Sequence, residues 1–265
     1  MKGGNKMVSW EIQGKLWGAK AEDYVDLNEP TNKMLWEVML KAANVDRGTR
    51  FLDVGCGGGG ASVLAAKLDA KITGLDASEN LINIARQRVP DGEFRVGDIE
   101  DLPYADNSFD VSFSSLTLMF SDNPNTAIQE MKRVTVSNGR IIVGIWGVPE
   151  KCDLGRISKA VINTLPPPRP KGSLFALSTP HLLEEMMQSA GLKILNGDEV
   201  KCTYEFSNFE TCWRSLRSAG VMQAVMQLSS EEELKEAVLK EIEHLQNRDG
   251  MVKLENVTRF ILASL

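Results

Sequence analysis

Three aspartates close three successive apolar runs: Asp53 in FLDVGCGGGG (51–60), Asp76 in ITGLDAS (72–78) and Asp98 in VGDIEDLP (96–103). The glycines after the first run fit two fingerprints. Gly55, Gly57 and Gly60 spell G-x-G-x-x-G, the dinucleotide signature, whereas Asp53, Gly55, Gly57 and Gly59 spell D-x-G-x-G-x-G, which suits another nucleoside ligand. Unpaired N–H groups at a helix start favour an anion, and glycine lets backbone approach it closely. That loop alone does not separate a pyrophosphate from an amino-acid carboxylate.

The acids are more discriminating. A buried carboxylate at position 53 requires a partner; an ammonium group serves, whereas the phosphates of a dinucleotide are repelled. Asp76 stands where an acid takes both hydroxyls of a ribose. Asp98 is set to accept from an exocyclic adenine amine, with Ile99 against the ring, and Ser114 and Ser115 of FDVSFSS lie at the lip of the same crevice. An ammonium, a ribose and an adenine together describe S-adenosylmethionine. Cys56, inside the glycine loop, reads as a small filler rather than a nucleophile.

Strands and helices must bring these positions together. RFLDVG, AKITGLD, GEFRVGD, SFDVSFSS and GRIIVGIWG read as five short buried strands. GASVLAAKLD, SENLINIARQRV and TAIQEMKRVT read as the helices between them, the second capped by Ser78. This alternation predicts a parallel, doubly wound α/β sheet. Ahead of it, TNKMLWEVMLKAANV (31–45) has helical spacing, with Leu35, Val38, Met39 and Ala42 on one face. The first 30 residues hold Trp10, Trp17 and Tyr24, an N-terminal arm over the site or against the core. Residues 147–176, with NTLPPPRPKG, read as a stiff Pro-rich loop. STPHLLEEMMQSAG is a helix capped by Ser178 or Thr179 and ended by Gly191. LKILNGDEVKCTYEF and NVTRFILASL are a sixth and a seventh strand, and the helical stretch 208–248 between them is a candidate substrate cap. The whole chain, 1–265, is expected to be one domain: an arm or lid over 1–45, a cofactor-binding core over 46–147 and a C-terminal half over 148–265.

Composition sets outer bounds. Of 265 residues, 43% are hydrophobic and 25% charged, ordinary for a globular chain. Thirty Lys and Arg against 36 acids leave a formal charge of −6, which argues against a polyanion such as nucleic acid as partner. Four cysteines, at 56, 152, 202 and 212, form no C-x-x-C pair, and with two histidines no metal site is expected. Neither a signal-like N-terminus nor a membrane span is visible, so a cytoplasmic monomer or homodimer is expected.

The chain resembles the class I S-adenosylmethionine-dependent methyltransferases, through FLDVGCGGG, ITGLDAS, VGDIEDLPYADNSFDVSFSS and SNGRIIVGIWG in that order. Residues 45–147 follow the family closely and the remainder more loosely. Its small-molecule branch, typified by ubiquinone and menaquinone biosynthesis methyltransferases, is the nearest. What the resemblance implies is a Rossmann-like, seven-stranded, mostly parallel sheet with the last strand antiparallel, helices on both faces and helical cap elements. It places Asp53 near the methionine amine through water or backbone, Gly55 and Gly57 along the methionine and ribose, with Cys56 between them in the cofactor-binding loop. It places Asp76 on the ribose with Ala77 beside the adenine, Asp98 and Ile99 on the adenine, and the Ser114 carbonyl on the ammonium. Trp17 and Tyr24 resemble an aromatic arm closing over the cofactor.

For the reaction itself the residues say less. Methyl transfer from a sulfonium is an in-line displacement that needs alignment and exclusion of water more than a dedicated base. Many relatives carry histidines after the fourth strand; this chain has SSLTLMF there, an apolar wall ending in Met119 and Phe120. His181 and His244 read as surface residues, and no catalytic residue is assigned. Phe120, Trp146, Met186, Met187 and CWRSLRSAGVMQ offer apolar material for a small hydrophobic or aromatic acceptor. Two other readings remain: a non-catalytic S-adenosylmethionine-binding relative, and an NAD-dependent oxidoreductase, which leaves Asp53 unexplained.

Overall fold

A computed structural model describes residues 9–167 and 174–265, so the second half of the Pro-rich NTLPPPRPKG stretch lies outside the described residues. The seven apolar runs form strands β1 (Arg50–Val54), β2 (Lys71–Asp76), β3 (Glu93–Val96), β4 (Phe109–Ser115), β5 (Thr135–Trp146), β6 (Lys193–Phe206) and β7 (Val252–Ser264). They join one sheet in the order β3-β2-β1-β4-β5-β7-β6. Strands β1 to β5 are parallel, and β7 runs antiparallel to both of its neighbours. The chain winds outward from β1 to β3, then returns to place β4 on the other side of β1. At that reversal the carboxyl ends of β1 and β4 diverge and leave a crevice.

Helices flank the sheet. The arm contributes α1 (Ser9–Gly18) and the single turn α2 (Ala21–Asp23), followed by a wide turn over Tyr24–Asn28 and a tight one over Glu29–Asn32. Helix α3 (Lys33–Ala42) buries Leu35, Trp36, Met39 and Leu40, so its inner face is rotated from the expected stripe and Val38 lies only partly buried. Between strands run α4 (Gly60–Ala66), α5 (Glu79–Arg88) and α6 (Pro124–Val134). Ser78 caps α5 as its type predicts, its hydroxyl accepting from Leu81 N at 3.3 Å.

Two local expectations are corrected. Within the stretch read as loop, Asp153–Asn163 forms helix α7, held by Leu154, Ile157 and Val161 on one buried face. The apolar spacing of three and four residues was overshadowed by the prolines that follow. Helix α8 (Leu182–Ser189) begins after His181, which takes a left-handed conformation (φ 66°) and offers no side-chain cap. Ser178 instead donates to Trp146 O at 2.9 Å, tying the segment to the end of β5. Gly191 ends α8 with φ 79°, the left-handed geometry that favours glycine.

Between β6 and β7 stand α9 (Phe209–Ser218), α10 (Gly220–Val225) and α11 (Glu231–Ile242). Trp213, fully buried, centres this group, and Asn208 and Ser230 cap α9 and α11. The arm leans on it: Arg214 and Arg217 pair with Asp23, and Asn28 Nδ2 donates to Ser215 O. Among the described residues no helix is long and apolar enough to cross a membrane.

Candidate cofactor and acceptor sites

The glycine loop leaves β1 and turns into α4 with Gly55, Gly57 and Gly59 at φ 78°, 54° and 81°. A side chain at any of the three positions would strain the backbone. Every N–H of the turn already has a partner within the protein. Gly55 N and Cys56 N donate to Leu75 O at 2.7 and 3.0 Å, and Gly59 N to Cys56 O at 2.9 Å. Gly57 N donates to Asp76 Oδ2 at 2.9 Å and Gly58 N to Glu29 Oε1 at 2.7 Å.

Two carboxylates therefore occupy the place where a pyrophosphate would rest. Asp53, 2% exposed, lies behind the loop, where its Oδ2 accepts from the Ser62 hydroxyl at 2.7 Å. Burial pushes its pKa up to about 7, opposed by the hydroxyl and N–H of Ser62. Ser62 of α4 partners Asp53, which does not line the crevice directly. Glu29, also 2% exposed, reaches in from the arm. Its Oε2 pairs with Arg88 Nη1 at 2.6 Å, and the same nitrogen donates to Gly58 O at 2.7 Å. Glu29 and Arg88 hold the Gly58 peptide from both sides. Burial raises the Glu29 pKa and Arg88 opposes the rise. Nothing local in LNEP distinguishes Glu29 as a buried acid; its role exists only once positions 29, 58 and 88 meet.

In front of the loop lies a cavity of about 330 Å³. Gly55, Gly57, Asp76, Ala77, Asp98, Ile99, Trp17, Tyr24 and Phe120 all line it, as do Ser115, Leu116 and Thr117. Asp76 accepts from Gly57 N through Oδ2 at 2.9 Å and from Ser78 N through Oδ1 at 2.8 Å. Burial raises its pKa, and the N–H groups of Ser78, Gly57 and Ala77 oppose the rise. Asp98 lies in the loop after β3, its Oδ1 accepting from Glu100 N at 2.9 Å while Oδ2 has no partner among the described residues. Charge in the lining has one sign. Asp76, Asp98, Glu100 and Asp122 border the cavity, and among the described residues no Lys, Arg or His does.

Two sequence-assigned positions stand apart from this cavity. Cys56 is buried under the loop, and burial lifts its thiol well above the usual range, as expected of an inert filler. Ser114 is buried inside β4, its hydroxyl donating to Val54 O at 3.0 Å. The lining begins one residue later at Ser115, because only beyond β4 does backbone leave the ladder. There Leu116 has φ 55°, a conformation that leucine rarely takes and that marks the crevice as a constrained place.

The arm forms the outer wall. Trp17 meets Tyr24 edge-on with centroids 5.5 Å apart and Phe120 at 5.1 Å. A Cβ on Gly14 would fall 2.1 Å from Ala77 O, so α1 lies directly on the backbone beside Asp76. Beyond the wall is a second cavity of about 420 Å³. The two share Ser9, Gln13, Trp17, Tyr24, Leu116 and Phe120 among their lining. The second is mostly apolar, with Met119, Trp146, Leu154, Val161, Leu216 and Met222 on its sides. Trp146 and the α9–α10 stretch contribute to it; Met186 and Met187 do not, and helix α7 stands in their place. His181 and His244 are exposed and line neither cavity.

Residues 52–143 match the family described as Methyltransferase domain. A demethylmenaquinone methyltransferase of Paenarthrobacter aurescens is 34% identical over 112 residues, 42% of this chain and 44% of that one. A malonyl-[acyl-carrier protein] O-methyltransferase of Serratia marcescens is 28% identical over 155 residues, 58% of this chain and 60% of that one. Over these matches the chain spans about half the length of the curated relatives. A solved SAM-dependent methyltransferase of Thermotoga maritima superposes with a TM-score of 0.55 at 18% identity, covering 95% of this chain and 99% of that one, which is a likeness of fold.

Proposed function

We propose that this chain, whose residues 52–143 match the methyltransferase-domain family, transfers the methyl group of S-adenosylmethionine to a small, largely apolar acceptor. One observation carries the choice of cofactor: four acids and no base line the first cavity among the described residues. A dinucleotide brings two negative charges into such a field and finds neither a cation nor a free loop N–H to meet them. S-adenosylmethionine brings an ammonium and a sulfonium. Asp76, in the cavity lining, offers its carboxylate to the hydroxyls of the cofactor's ribose, and Asp98 Oδ2 is free for the adenine amine. With Ser114 inside the sheet, the carbonyls at its lip, from Ser115 onward, are the ones left for the ammonium.

When bound, S-adenosylmethionine supplies an electrophilic methyl on sulfur. The chain's own part is to orient and to exclude water. Glu29 and Arg88 fix the loop from below, and Asp76 anchors one end of the cavity. Trp17, Tyr24 and Phe120 line both cavities, so methyl donor and acceptor would meet beside them, where the two cavities adjoin. Neither histidine lines either cavity, and burial lifts the Tyr24 hydroxyl well above its usual range, so it stays protonated and donates rather than abstracts. Alignment and exclusion of water carry the reaction in this reading, and no catalytic base is assigned.

Calorimetry with S-adenosylmethionine, S-adenosylhomocysteine and NAD tests it. Both adenosyl compounds should bind and NAD should not. Binding of NAD alone would overturn the assignment.

A further inference from the structure

The second cavity is mostly apolar; Ser9, Gln13, Asn28, Ser121, Asp122 and Ser158 are polar and only partly buried or exposed in its lining, whereas Asn32 and Tyr204 stand together at one buried corner. Tyr204 lies on β6 and Asn32 at the entry to α3; they are 3% and 5% exposed, and both line the cavity. Tyr204 Oη donates its proton to Asn32 Oδ1 at 3.0 Å. Thr31 lies beside the phenol but gives its own hydroxyl proton to Asn28 O. Ser215, another polar residue buried in the lining, donates to Leu27 O. The Asn32 amide Nδ2 has no partner among the described residues. This corner therefore presents one donor, Asn32 Nδ2, beside one acceptor, a lone pair of Tyr204 Oη.

That pairing selects a functional group. A hydroxyl fills both roles at once, accepting from Asn32 Nδ2 and donating to Tyr204 Oη. At this corner a ketone or ester carbonyl satisfies only the amide and an ammonium only the phenol; the one acid among the described lining residues, Asp122, is exposed. Carboxylates and phosphates find no Lys, Arg or His among the described lining residues. Buried polar groups left unpaired on ligand entry are costly, so the corner discriminates by what it fails to satisfy.

Resting on the reading of this cavity as the acceptor site, we propose that Asn32 and Tyr204 are its specificity-determining anchor, and that the acceptor is a neutral, mainly apolar molecule bearing a hydroxyl. The pair binds that hydroxyl and takes no part in proton transfer.

The test uses two probes of nearly equal size, 2-naphthol and 2-methylnaphthalene, titrated by fluorescence into the full chain with and without S-adenosylhomocysteine. Wild-type protein should prefer 2-naphthol. In Asn32→Leu the ratio of the two affinities should fall about tenfold, the worth of a buried hydrogen bond. Tyr204→Phe should reduce it similarly. Affinity for 2-methylnaphthalene should persist in both variants, which reports an intact cavity even if one of them is less stable. An unchanged ratio in Asn32→Leu overturns the anchor, and so does failure of both probes to bind wild-type protein. Loss of S-adenosylhomocysteine binding with the naphthol preference kept would overturn the methyltransferase reading and leave the anchor standing.

Discussion

Replacing Arg88 by methionine should destabilise the fold by about 2–3 kcal/mol at neutral pH, and by much less in acid. Arg88 makes two contacts that methionine cannot: one with Glu29 Oε2 at 2.6 Å and one with Gly58 O at 2.7 Å. A hydrogen bond to a charged partner contributes about 1.5–3 kcal/mol and a neutral one about 1. The Arg88 side chain is 32% exposed, so water recovers part of that sum. Methionine preserves much of the apolar stem, leaving the charge as the main difference. The pH dependence follows from Glu29, whose pKa burial already raises above 4.5 and Arg88 holds back. Without Arg88 the folded value climbs further while the unfolded value does not. A carboxyl whose folded pKa exceeds its unfolded one supports the fold when protonated, and that support is lost as pH rises through the folded value. Each additional unit of elevation costs about 1.4 kcal/mol at high pH. Urea denaturation of both proteins in steps from about pH 4.5 to 8 should show the gap opening with pH. The double variant Glu29→Gln, Arg88→Met, which keeps an acceptor for Gly58 N–H without the charge, should lose most of that slope. A deficit independent of pH would refute the charge coupling.

Asp76→Ala should weaken S-adenosylmethionine binding about 100-fold by calorimetry, two charged hydrogen bonds being removed, while circular dichroism reports the same fold. Unchanged affinity would mean that the ribose sits elsewhere. Gly14→Ala places a Cβ 2.1 Å from Ala77 O, backbone that cannot turn aside. Helix α1 must lift, so the KM for S-adenosylmethionine should rise in initial-rate assays with little change in melting temperature; an unaltered KM would show that α1 does not press on the cofactor cavity.

Much of the fold was legible because apolar runs and glycine punctuation are local. All seven strands and the helical stretch between the last two stand where alternation placed them. The misses have physical reasons. Helix α7 escaped because its apolar stripe is short and prolines follow it. At α8, Ser178 has the chemistry of a cap but is drawn to Trp146 O by the end of β5. In the candidate site, residues on one crevice were readable because consecutive strand ends converge by topology. The Ser62 partner of Asp53 was not legible because it lies nine residues on, in the next helix. Glu29, Asn32 and Tyr204 carried no local signal, for contacts such as Tyr204 with Asn32 join positions 172 residues apart.

The ladder between β6 and β7 runs from Lys193↔Ser264 to Phe206↔Val252, so the chain leaves the sheet and re-enters it at one rung. Residues 207–251 are thus a closed cassette whose two ends are held about 5 Å apart by the rung itself, whatever lies between them. Closure entropy changes slowly with loop length, so a cassette of different size or content can be grafted at Phe206 and Val252 without shifting the register of the sheet. Ser215, Leu216, Gly220 and Met222 travel with it, whereas Asp76, Asp98 and the glycine loop all precede β5. In the proposed reading, exchanging this segment would rebuild one side of the acceptor cavity without moving Asp76, Asp98 or the glycine loop, provided that the new segment still meets the arm at Asp23 and Asn28.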